Sequence, residues 1–247
     1  MKKLFFAFAL SCALVSCKKE TSTPNNSGNT TSDTTKTSNQ TIIKPGPNIT
    51  DGEVNTYKTV TIGKQTWMTE NLKVSKYNDG TTIPNITDNT QWQNNTTGAW
   101  AYYNNDAANN AKYGKLYNWY AVSPTTNGNK NVCPTGWHVP TDAEWTVLTD
   151  YLGGTSVAGG KMKEVGITNW NSPNTDASNT SLFTGLPGGY RNYYGYYSNV
   201  GIYGYWLSLT ENNKISFWNR YLDGSNSKAY RADYHKNEGL SIRCLKD

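Results

Sequence analysis

The sequence predicts an α+β domain of short antiparallel strands, two short helices and long loops. One segment carries a helix-capping signature followed by a helical apolar stripe. Elsewhere, short runs of β-branched and aromatic residues are separated by clusters of Gly, Asn and Asp, which is typical of strands joined by turns. Few helices combined with many short strands favour the α+β class.

The clearest helix begins after Thr141. Glu144 follows three residues later, which is the spacing of a capping box, in which each side chain bonds the backbone N–H of the other residue. Trp145, Leu148 and Leu152 then occur at positions i, i+3 and i+7, so their side chains share one helix face. We expect this face to pack against the core.

A second, shorter helix is predicted over Gly114–Val122, because its apolar residues would share one face and Pro124 would end it. The remaining regular structure is expected to be strands. The predicted strands are Thr59–Ile62, Thr66–Met68, Tyr205–Leu209, Ile215–Tyr221, Ala229–Tyr234 and Leu240–Leu245.

The core is expected to be largely aromatic. Aromatic residues make up 13% of the chain, and all nine tryptophans lie between Trp67 and Trp218. Each such ring buries roughly 150–250 Å², so a small number of them can form a core. All eighteen tyrosines lie at or after Tyr57. We therefore place one folded domain at residues 54–247, which is an ordinary domain size.

The N-terminus carries the features of an export signal. Lys2 and Lys3 precede the short apolar run Leu4–Val15, and Cys17 follows a small residue. A cysteine at this place resembles the lipobox of bacterial lipoproteins, in which the thiol is acylated and becomes the new N-terminus. The apolar run is shorter than the ~20 residues of a membrane-spanning helix. We expect residues 1–17 to be a lipoprotein signal peptide cleaved before Cys17; the alternative is an ordinary secretory signal.

Residues 18–53 are predicted to form a disordered tether. They consist mainly of Ser, Thr, Asn, Gly and Pro, and after the leader no aromatic residue occurs before Tyr57. Such a composition cannot bury enough apolar surface to offset the entropy lost on ordering. Leader and tether together predict a lipid-anchored protein of the bacterial cell envelope, at the outer membrane, facing the periplasm or exposed at the surface.

The charge and the cysteines restrict the classes of function. A net charge of +5, scattered along the chain, lacks the concentrated basic stripe of a nucleic-acid binder. In an exported protein, Cys133 and Cys244 are most simply a disulfide. The alternative, a catalytic thiol, lacks a partner, because His138 and His235 show no spacing typical of a nucleophile or metal motif.

Several motifs resemble one known family, the Fibrobacter succinogenes major paralogous domain family. The resemblance covers essentially Val54–Asp247, with the motifs in the family's order. Members are largely exported bacterial proteins without an assigned activity. The motifs are GKQTWMTENL (63–72), YGKLYNWY (113–120), CPTGWHVPTDAEW (133–145), LPGGYR (186–191) and LSIRC (240–244).

A more distant likeness concerns the fold. The run VPTDAEW (139–145) is similar to the capped helix of the formylglycine-generating sulfatase-modifying proteins, which adopt a variant of the C-type lectin fold. This resemblance implies a C-type-lectin-like domain. It does not carry the chemistry of those proteins, because their oxidation uses active-site cysteines. The domain has only Cys133 and Cys244, which the bridge already explains.

A ligand site is predicted in the segment 188–206, which holds seven tyrosines and a tryptophan among five glycines. Flat rings beside Asn and Arg donors can stack on a sugar and hydrogen-bond its hydroxyls. The alternative is that these rings form the core of a loop-rich fold. The predicted ligand-binding residues are Arg191, Asn192, Tyr193, Tyr194, Tyr196 and Tyr197.

Calcium is a second hypothesis, because Asn174, Asp176 and Asn179 could supply oxygen ligands. Their spacing does not match a defined calcium loop, and turn-forming residues are the alternative. We predict no other metal or cofactor, and no catalytic residue, since no nucleotide loop, metal cluster or triad occurs in the sequence.

Two classes of function therefore remain. One is a non-catalytic, lipid-anchored module of the cell envelope that binds a glycan or a partner protein. The other is an enzyme of lectin-like fold that acts on cell-wall or polysaccharide substrates. The absence of a paired-carboxylate or nucleophile pattern favours the binding module, although residues far apart in sequence can meet in space.

Replacement of the lipobox cysteine tests the anchor. We expect Cys17→Ser to release the protein from the membrane fraction, because the acylated thiol is then lost and stable anchoring needs more than one acyl chain. Fractionation followed by immunoblotting measures this release. Membrane retention of Cys17→Ser as an uncleaved precursor would contradict lipid anchoring.

Overall fold

The computed structural model of the protein describes residues 42–247. These residues form a mixed α+β fold with mostly antiparallel strands, which confirms the predicted class. The predicted leader, Cys17 and the tether up to residue 41 lie outside the described residues.

The strands and helices are short, as the turn-rich sequence predicts. The strands are β1 (Ile43–Thr50), β2 (Thr56–Ile62), β3 (Gln65–Met68), β4 (Trp100–Ala101), β5 (Leu116–Tyr117), β6 (Trp137–His138), β7 (Gly188–Arg191), β8 (Tyr197–Val200), β9 (Tyr203–Glu211), β10 (Ser216–Asp223), β11 (Ala229–His235) and β12 (Leu245–Lys246). The helices are α1 (Asn89–Asn94), α2 (Asn109–Tyr113), α3 (Pro124–Asn127), α4 (Asp142–Tyr151) and α5 (Thr155–Met162).

The strands form two five-stranded sheets and one small pair. The first sheet has the order β1-β2-β3-β12-β6, and the second has the order β11-β10-β9-β7-β8. Strands β4 and β5 form a separate two-stranded sheet. Within the second sheet, β7 pairs with β9 in parallel, whereas the other strand pairs are antiparallel.

The ordered domain begins earlier than the sequence predicts. Strand β1 lies inside the segment 18–53 that we expected to be a tether, and it pairs antiparallel with β2 from Ile43 opposite Ile62 to Thr50 opposite Thr56. The pairing satisfies backbone groups that composition alone does not reveal. The tether prediction is therefore wrong for residues 43–50.

Helix α4 confirms the capping-box prediction. The Thr141 side chain accepts from the backbone of Glu144, and the Glu144 carboxylate accepts from the backbone of Thr141. The predicted apolar stripe of Trp145, Leu148 and Leu152 is fully buried. The helix therefore packs on the face that its periodicity indicates.

The helix predicted over Gly114–Val122 is wrong. Gly114 adopts φ 70° and ends α2, after which β5 pairs with β4 and a 3₁₀ turn covers Trp119–Ala121. Tyr117 also exchanges two backbone hydrogen bonds with Leu240, at 2.8 and 3.0 Å. Tertiary strand pairing therefore overrides the helical apolar pattern of this segment.

Helix α5 was not predicted, so the expectation of two helices is too low. Its sequence contains Gly159 and Gly160, which disfavour a helix in isolation. Both glycines are required by packing, because a Cβ on Gly159 would collide with the Lys228 carbonyl and one on Gly160 with the backbone of Asp176.

The core around α4 is a cluster of aromatic rings between the two sheets. Trp145 lies 4.7 Å from Trp67 of β3 and 6.4 Å from Trp206 of β9, measured between ring centroids. Phe183 packs edge-on against Trp145 and Trp206, at 5.9 and 5.6 Å. All four rings are essentially buried. This confirms that aromatic residues build the core.

The last residues of the chain close the fold. Cys244 is bonded to Cys133, which confirms the predicted disulfide across a separation of 111 residues. The strand predicted over Leu240–Leu245 is only partly correct. Residues 240 and 241 form isolated bridges to β5 and β9, and β12 itself covers Leu245–Lys246.

Loss of the disulfide should destabilise the domain. Both sulfur-bearing residues are fully buried, and the bridge closes a long loop. We expect the Cys133→Ala/Cys244→Ala variant to lose about 2–5 kcal/mol of unfolding free energy, as native bridges in exported domains do. Urea unfolding of the oxidised protein and the variant measures the difference. Rapid alkylation of both cysteines in the folded, untreated protein would contradict the bridge.

His138 links α4 to the C-terminal strand. Its Nδ1 lies 2.6 Å from Asp247 Oδ1, and its Nε2 lies 3.0 Å from Glu144 Oε1. Burial alone would lower the pKa of His138, but the hydrogen bonds to Asp247 and Glu144 outweigh burial and raise this pKa. The folded state therefore favours the protonated imidazole.

This raised pKa predicts a pH-dependent contribution to stability. The contribution of His138 should be complete below the pKa of an unfolded histidine, about 6.5, and lost as the pH rises through the folded-state pKa. We expect His138→Gln to destabilise the protein more at pH ~5.5 than at pH ~8.5. Urea unfolding at both pH values measures this. An equal loss at both would show that the charge of His138 does not stabilise the fold.

Candidate functional site

The segment predicted to bind a ligand forms the hairpin of β7 and β8. The turn is closed by a backbone hydrogen bond from the Asn192 N–H to the Tyr196 carbonyl at 2.7 Å, and the Asn192 side chain accepts from the Tyr196 N–H at 2.9 Å. Tyr194 and Tyr196 are exposed, at 57% and 62%. We call these two residues the hairpin tip. Their rings are available to a ligand.

Arg191 does not belong to the exposed site that we predicted. It is fully buried, and its guanidinium donates hydrogen bonds to the carbonyls of Ile86, Thr87 and Gly195. It also lies 4.3 Å from the ring of Trp92. Its donors already have partners within the fold, so the prediction that Arg191 binds a ligand is corrected.

The other two predicted rings are half-buried. Tyr193 packs against Tyr194 at 4.8 Å and against His235 at 4.4 Å. The Tyr197 hydroxyl donates to Asn105 Oδ1 at 2.6 Å, which fixes this ring against the body of the domain. The predicted residues therefore divide into an exposed tip and rings that hold the hairpin in place.

A larger aromatic surface lies on the second sheet, which we call the tyrosine face. Its rings form one connected cluster, with each ring in contact with at least one other member. Tyr205 is 4% exposed, and the other rings are half-buried. The tyrosine face consists of Tyr190, Tyr203, Tyr205, Tyr221, Tyr230 and Tyr234.

Strand alternation and register bring these rings together. Tyr203 and Tyr205 are two residues apart on β9 and therefore point to the same side of the sheet. Tyr205 is paired with Tyr221 of β10, which is in turn paired with Tyr230 of β11. Three tyrosines thus form a row across three strands. The rings of Tyr221 and Tyr230 are stacked at 4.5 Å with an interplanar angle of 3°.

Tyr205 connects this row to the rest of the face. Its ring lies 5.0 Å from Tyr190, 5.7 Å from Tyr203 and 5.8 Å from Tyr234. Its hydroxyl accepts from Asn199 Nδ2 at 3.0 Å. Burial raises the pKa of both Tyr205 and Tyr234, so the phenols stay neutral at physiological pH.

The tyrosine face continues outward from the core. Leu207 and Phe217 occupy the same side of the sheet and are fully buried, whereas Tyr203, Tyr221 and Tyr230 are only half-buried. A ligand could stack on the outer rings and hydrogen-bond to phenol hydroxyls, each of which can donate and accept. This combination of apolar faces and polar tips suits a sugar ring.

The sequence interpretation named none of the six rings of this face as a ligand-binding residue, although three of them lie in the predicted segment. Tyr190, Tyr203 and Tyr205 lie in the segment 188–206, but we did not single them out, and Tyr221, Tyr230 and Tyr234 lie outside it. Tyr221, Tyr230 and Tyr234 each lie within a predicted strand. Residues an even number of positions apart on one strand share a face of the sheet, so this spacing could have indicated a common face. The register between strands was not readable from the sequence.

The residues proposed for calcium form a loop that is already occupied by a side chain. The Lys163 Nζ donates to the carbonyls of Thr175, Asp223 and Asn226 at 2.8–2.9 Å. Asn174 Nδ2 donates to the carbonyls of Glu164 and Gly166, whereas its Oδ1 is buried without a hydrogen bond. Asn179 bonds Thr184 through both its Nδ2 and its Oδ1. Within residues 42–247, no group of three His, Cys, Asp or Glu side chains could hold a metal ion.

The two acidic residues in the first turn of α4 are engaged in ion pairs. Asp142 pairs with Arg220 at 2.5 Å and with Arg231 at 2.9 Å. Glu144 accepts from the Thr141 backbone and contacts His138. Both carboxylates therefore contribute to the packing of α4.

A shallow cleft lies near the disulfide, lined among others by Asp51, Lys76 and Tyr77. The Asp51 carboxylate accepts hydrogen bonds from the backbone of Glu53 and from the Tyr57 hydroxyl. These hydrogen bonds hold the Asp51 carboxylate in the turn after β1. The tyrosine face is therefore the better candidate for a binding site.

The comparisons with known proteins agree with the motifs in the sequence. The described residues contain no helix long and apolar enough to cross a membrane. No curated protein and no solved structure matches the chain. The family model of the Fibrobacter succinogenes major domain matches residues 60–246. The chain therefore belongs to the Fibrobacter succinogenes major domain family.

Proposed function

We propose that this protein is a non-catalytic binding module, lipid-anchored in the bacterial cell envelope, that binds a glycan through the tyrosine face. The observation that carries the proposal is the row of Tyr205, Tyr221 and Tyr230, with Tyr203 and Tyr190 beside it. Sugars present C–H faces that stack on aromatic rings, and hydroxyls that pair with phenols.

The geometry of the rings supports binding rather than mere core packing. A ring placed only for the core would be buried, as Phe217 is. Tyr203, Tyr221 and Tyr230 instead remain half-buried at the end of the sheet. Contacts with Tyr205 and with each other hold them in place, so little side-chain entropy would be lost when a ligand binds.

The location follows from the lipobox at Cys17 and the polar segment that follows it. If residues 18–41 are flexible, as their composition predicts, they would have an r.m.s. span of roughly 25–30 Å. The domain could then reach glycans at some distance from the lipid headgroups. The membrane is thus a partner through the anchor only, and the glycan is a partner through the sheet.

The finer fold assignment is also part of the proposal. We infer a C-type-lectin-like variant from the capped helix α4 packed beside short antiparallel strands, with long loops and a disulfide to the C-terminal segment. An experimental structure compared with lectin-like domains tests this inference. A different strand connectivity would overturn it.

Paired variants distinguish the tyrosine face from the hairpin tip. We expect Tyr221→Ala and Tyr230→Ala each to weaken glycan binding by about 1–2 kcal/mol, as buried contact aromatics do at binding surfaces. Tyr230→Phe should retain most of the affinity, since the ring remains. Tyr194→Ala and Tyr196→Ala, at the tip, serve as matched controls and should bind like the wild type.

A glycan array followed by calorimetry on the best glycan measures these affinities, and thermal melts confirm that each variant is folded. Loss of binding in the tip variants, with normal binding in the face variants, would move the site to the hairpin predicted from the sequence. Absence of binding to every glycan, with capture of a cell-surface protein instead, would overturn glycan binding.

A further inference from the structure

A cavity opens beside the tyrosine face, where β9 begins and β10 ends. Its volume is about 300 Å³, at the lower end of the roughly 300–1,000 Å³ of ligand pockets. The cavity is formed by the loop 171–173, by Ile202 and Tyr203, and by the turn 223–225. Tyr203 also belongs to the tyrosine face. The cavity is therefore continuous with this face and has the size for a single sugar unit.

Strand register places a carboxylate next to the outer rings. Asp223 is the last residue of β10 and is paired with Tyr203, the first residue of β9. Asp223 is also two residues from Tyr221, so its side chain points to the same side of the sheet as the tyrosine face. The residue is 9% exposed and lines the cavity. The aromatic surface thus ends at an acceptor that a ligand in the cavity contacts.

The Asp223 carboxylate has unused accepting positions. Its Oδ1 accepts from the Ser225 N–H at 2.7 Å, and its Oδ2 accepts from Asn226 Nδ2 at 3.0 Å. A carboxylate offers about four lone-pair sites, so about two remain. The Lys163 ammonium donates to the Asp223 carbonyl at 2.9 Å, and this cation offsets the cost of placing a negative charge in a protected site. The remaining lone pairs suit the hydroxyl donors of a sugar.

The walls of the cavity are joined to each other by buried hydrogen bonds. The fully buried Lys163 ammonium links the loop to the turn, because it donates to the Thr175 carbonyl as well as to the carbonyls of residues 223 and 226. The Gly224 N–H donates to the Ile202 carbonyl at 3.0 Å, and the Gly224 carbonyl accepts from the Thr175 N–H at 2.8 Å. Little conformational entropy would therefore be lost when a ligand enters.

The lining suits a neutral sugar. Ile202 is 43% exposed, although it is apolar, and it lines the cavity with the half-buried Tyr203. Both side chains can contact the C–H groups of a sugar. Asn171 and Ser225 are exposed at the rim and offer polar groups. An acidic sugar would bring a second negative charge to Asp223, whereas a hydroxylated sugar donates hydrogen bonds to this carboxylate.

The shape of the cavity favours the end of a chain. Its walls are bonded to one another on the sides formed by the loop and the turn, and its Tyr203 side continues into the tyrosine face. A glycan that lies along the face therefore reaches the cavity with its end, because an internal sugar would need its chain to pass through a wall. In an attached glycan this free end is the non-reducing end, since the reducing end forms the attachment.

We propose that the cavity binds the neutral terminal sugar at the non-reducing end of the glycan, with Tyr203 stacking on this sugar and the Asp223 carboxylate accepting from its hydroxyls. The module thus recognises chain ends rather than chain interiors. This inference rests on the proposed function, and it adds a second subsite and the feature of the glycan that this subsite recognises.

An array of paired oligosaccharides tests the proposal with the full mature chain. Each oligosaccharide is attached through its reducing end and printed in two forms, one with free hydroxyls on the terminal sugar and one with these hydroxyls methylated. Methylation removes the donors to Asp223 and enlarges the terminal sugar, but it leaves the internal sugars unchanged. We expect the free form of a bound glycan to bind about tenfold more tightly or better, because hydrogen bonds to a charged group are then retained.

Two cavity variants and a matched control locate the effect. Asp223→Asn and Ser225→Phe should each weaken binding of the free form about tenfold, the first by removing the charge and the second by filling the cavity from its rim. Asp79→Asn is the control, because the exposed Asp79 carboxylate also accepts from the N–H two residues ahead, at Thr81. This variant loses the same charge and should bind like the wild type. Thermal melts show whether each variant is folded, and Ser225→Phe tests the cavity even where Asp223→Asn perturbs the turn.

The outcomes separate the two proposals. Equal binding of both printed forms by the wild type, weakened in both cases by Tyr230→Ala, would keep the glycan site and overturn the recognition of chain ends. A preference for the free form that survives both Asp223→Asn and Ser225→Phe would overturn the cavity as the subsite, as would binding only to glycans that end in an acidic sugar. Binding to no arrayed glycan would overturn both proposals.

Discussion

The structure depends on a buried guanidinium. Arg243 is fully buried, where an ion without partners would cost several kcal/mol. Burial lowers its pKa to about 9, so it remains a cation at neutral pH. Its Nε donates to Asn71 Oδ1 at 2.9 Å, and its Nη atoms donate to the carbonyls of Phe183 and Thr184. Asn71 Oδ1 also accepts from Trp206 Nε1 at 2.9 Å. One cation thus joins the segment after β3, the loop before β7, strand β9 and the C-terminal segment.

Buried basic side chains also donate to inward-facing loop carbonyls elsewhere in the fold. A loop-rich chain has many backbone carbonyls outside sheets and helices, and each buried carbonyl needs a donor. Lysine and arginine supply three to five N–H groups each. Lys163, whose pKa burial lowers to about 8, donates to a carbonyl of the loop for which calcium was a hypothesis, and Arg191 donates to carbonyls of the loop before α1. Arg191, which we predicted to bind a ligand, is therefore an internal cross-link of the fold, as Lys163 and Arg243 are.

The sequence predicts those features that depend on local chemistry. The capping box of α4 needs only Thr141 and Glu144, and the disulfide needs only two cysteines in a chain whose leader predicts export, so both can be predicted from the sequence. Features that depend on distant partners are not. Gly159 lies in a helix because another loop leaves no room for a side chain, and β1 is a strand because β2 offers a free edge. The candidate site also depends on distant partners. The sequence indicates the tyrosines of 188–206 only as a group, whereas the register of β9 to β11 determines which tyrosines share a face.

Under the proposed function, the position of the tyrosine face couples ligand binding to stability. Tyr205 belongs both to the core, through its burial, and to the proposed site, through its contacts with four half-buried rings. Phenylalanine in these places would leave a dry apolar patch, which favours aggregation, whereas tyrosine keeps a polar group at the water boundary. Because the exposure of these rings increases gradually from the core to the outer part of the sheet, the tyrosine face itself needs no separate binding loop. In the proposed site, the outer rings are held by rings that also hold the fold, so substitutions near Tyr205 should affect stability and binding, and substitutions at the outer edge near Tyr230 should affect binding alone.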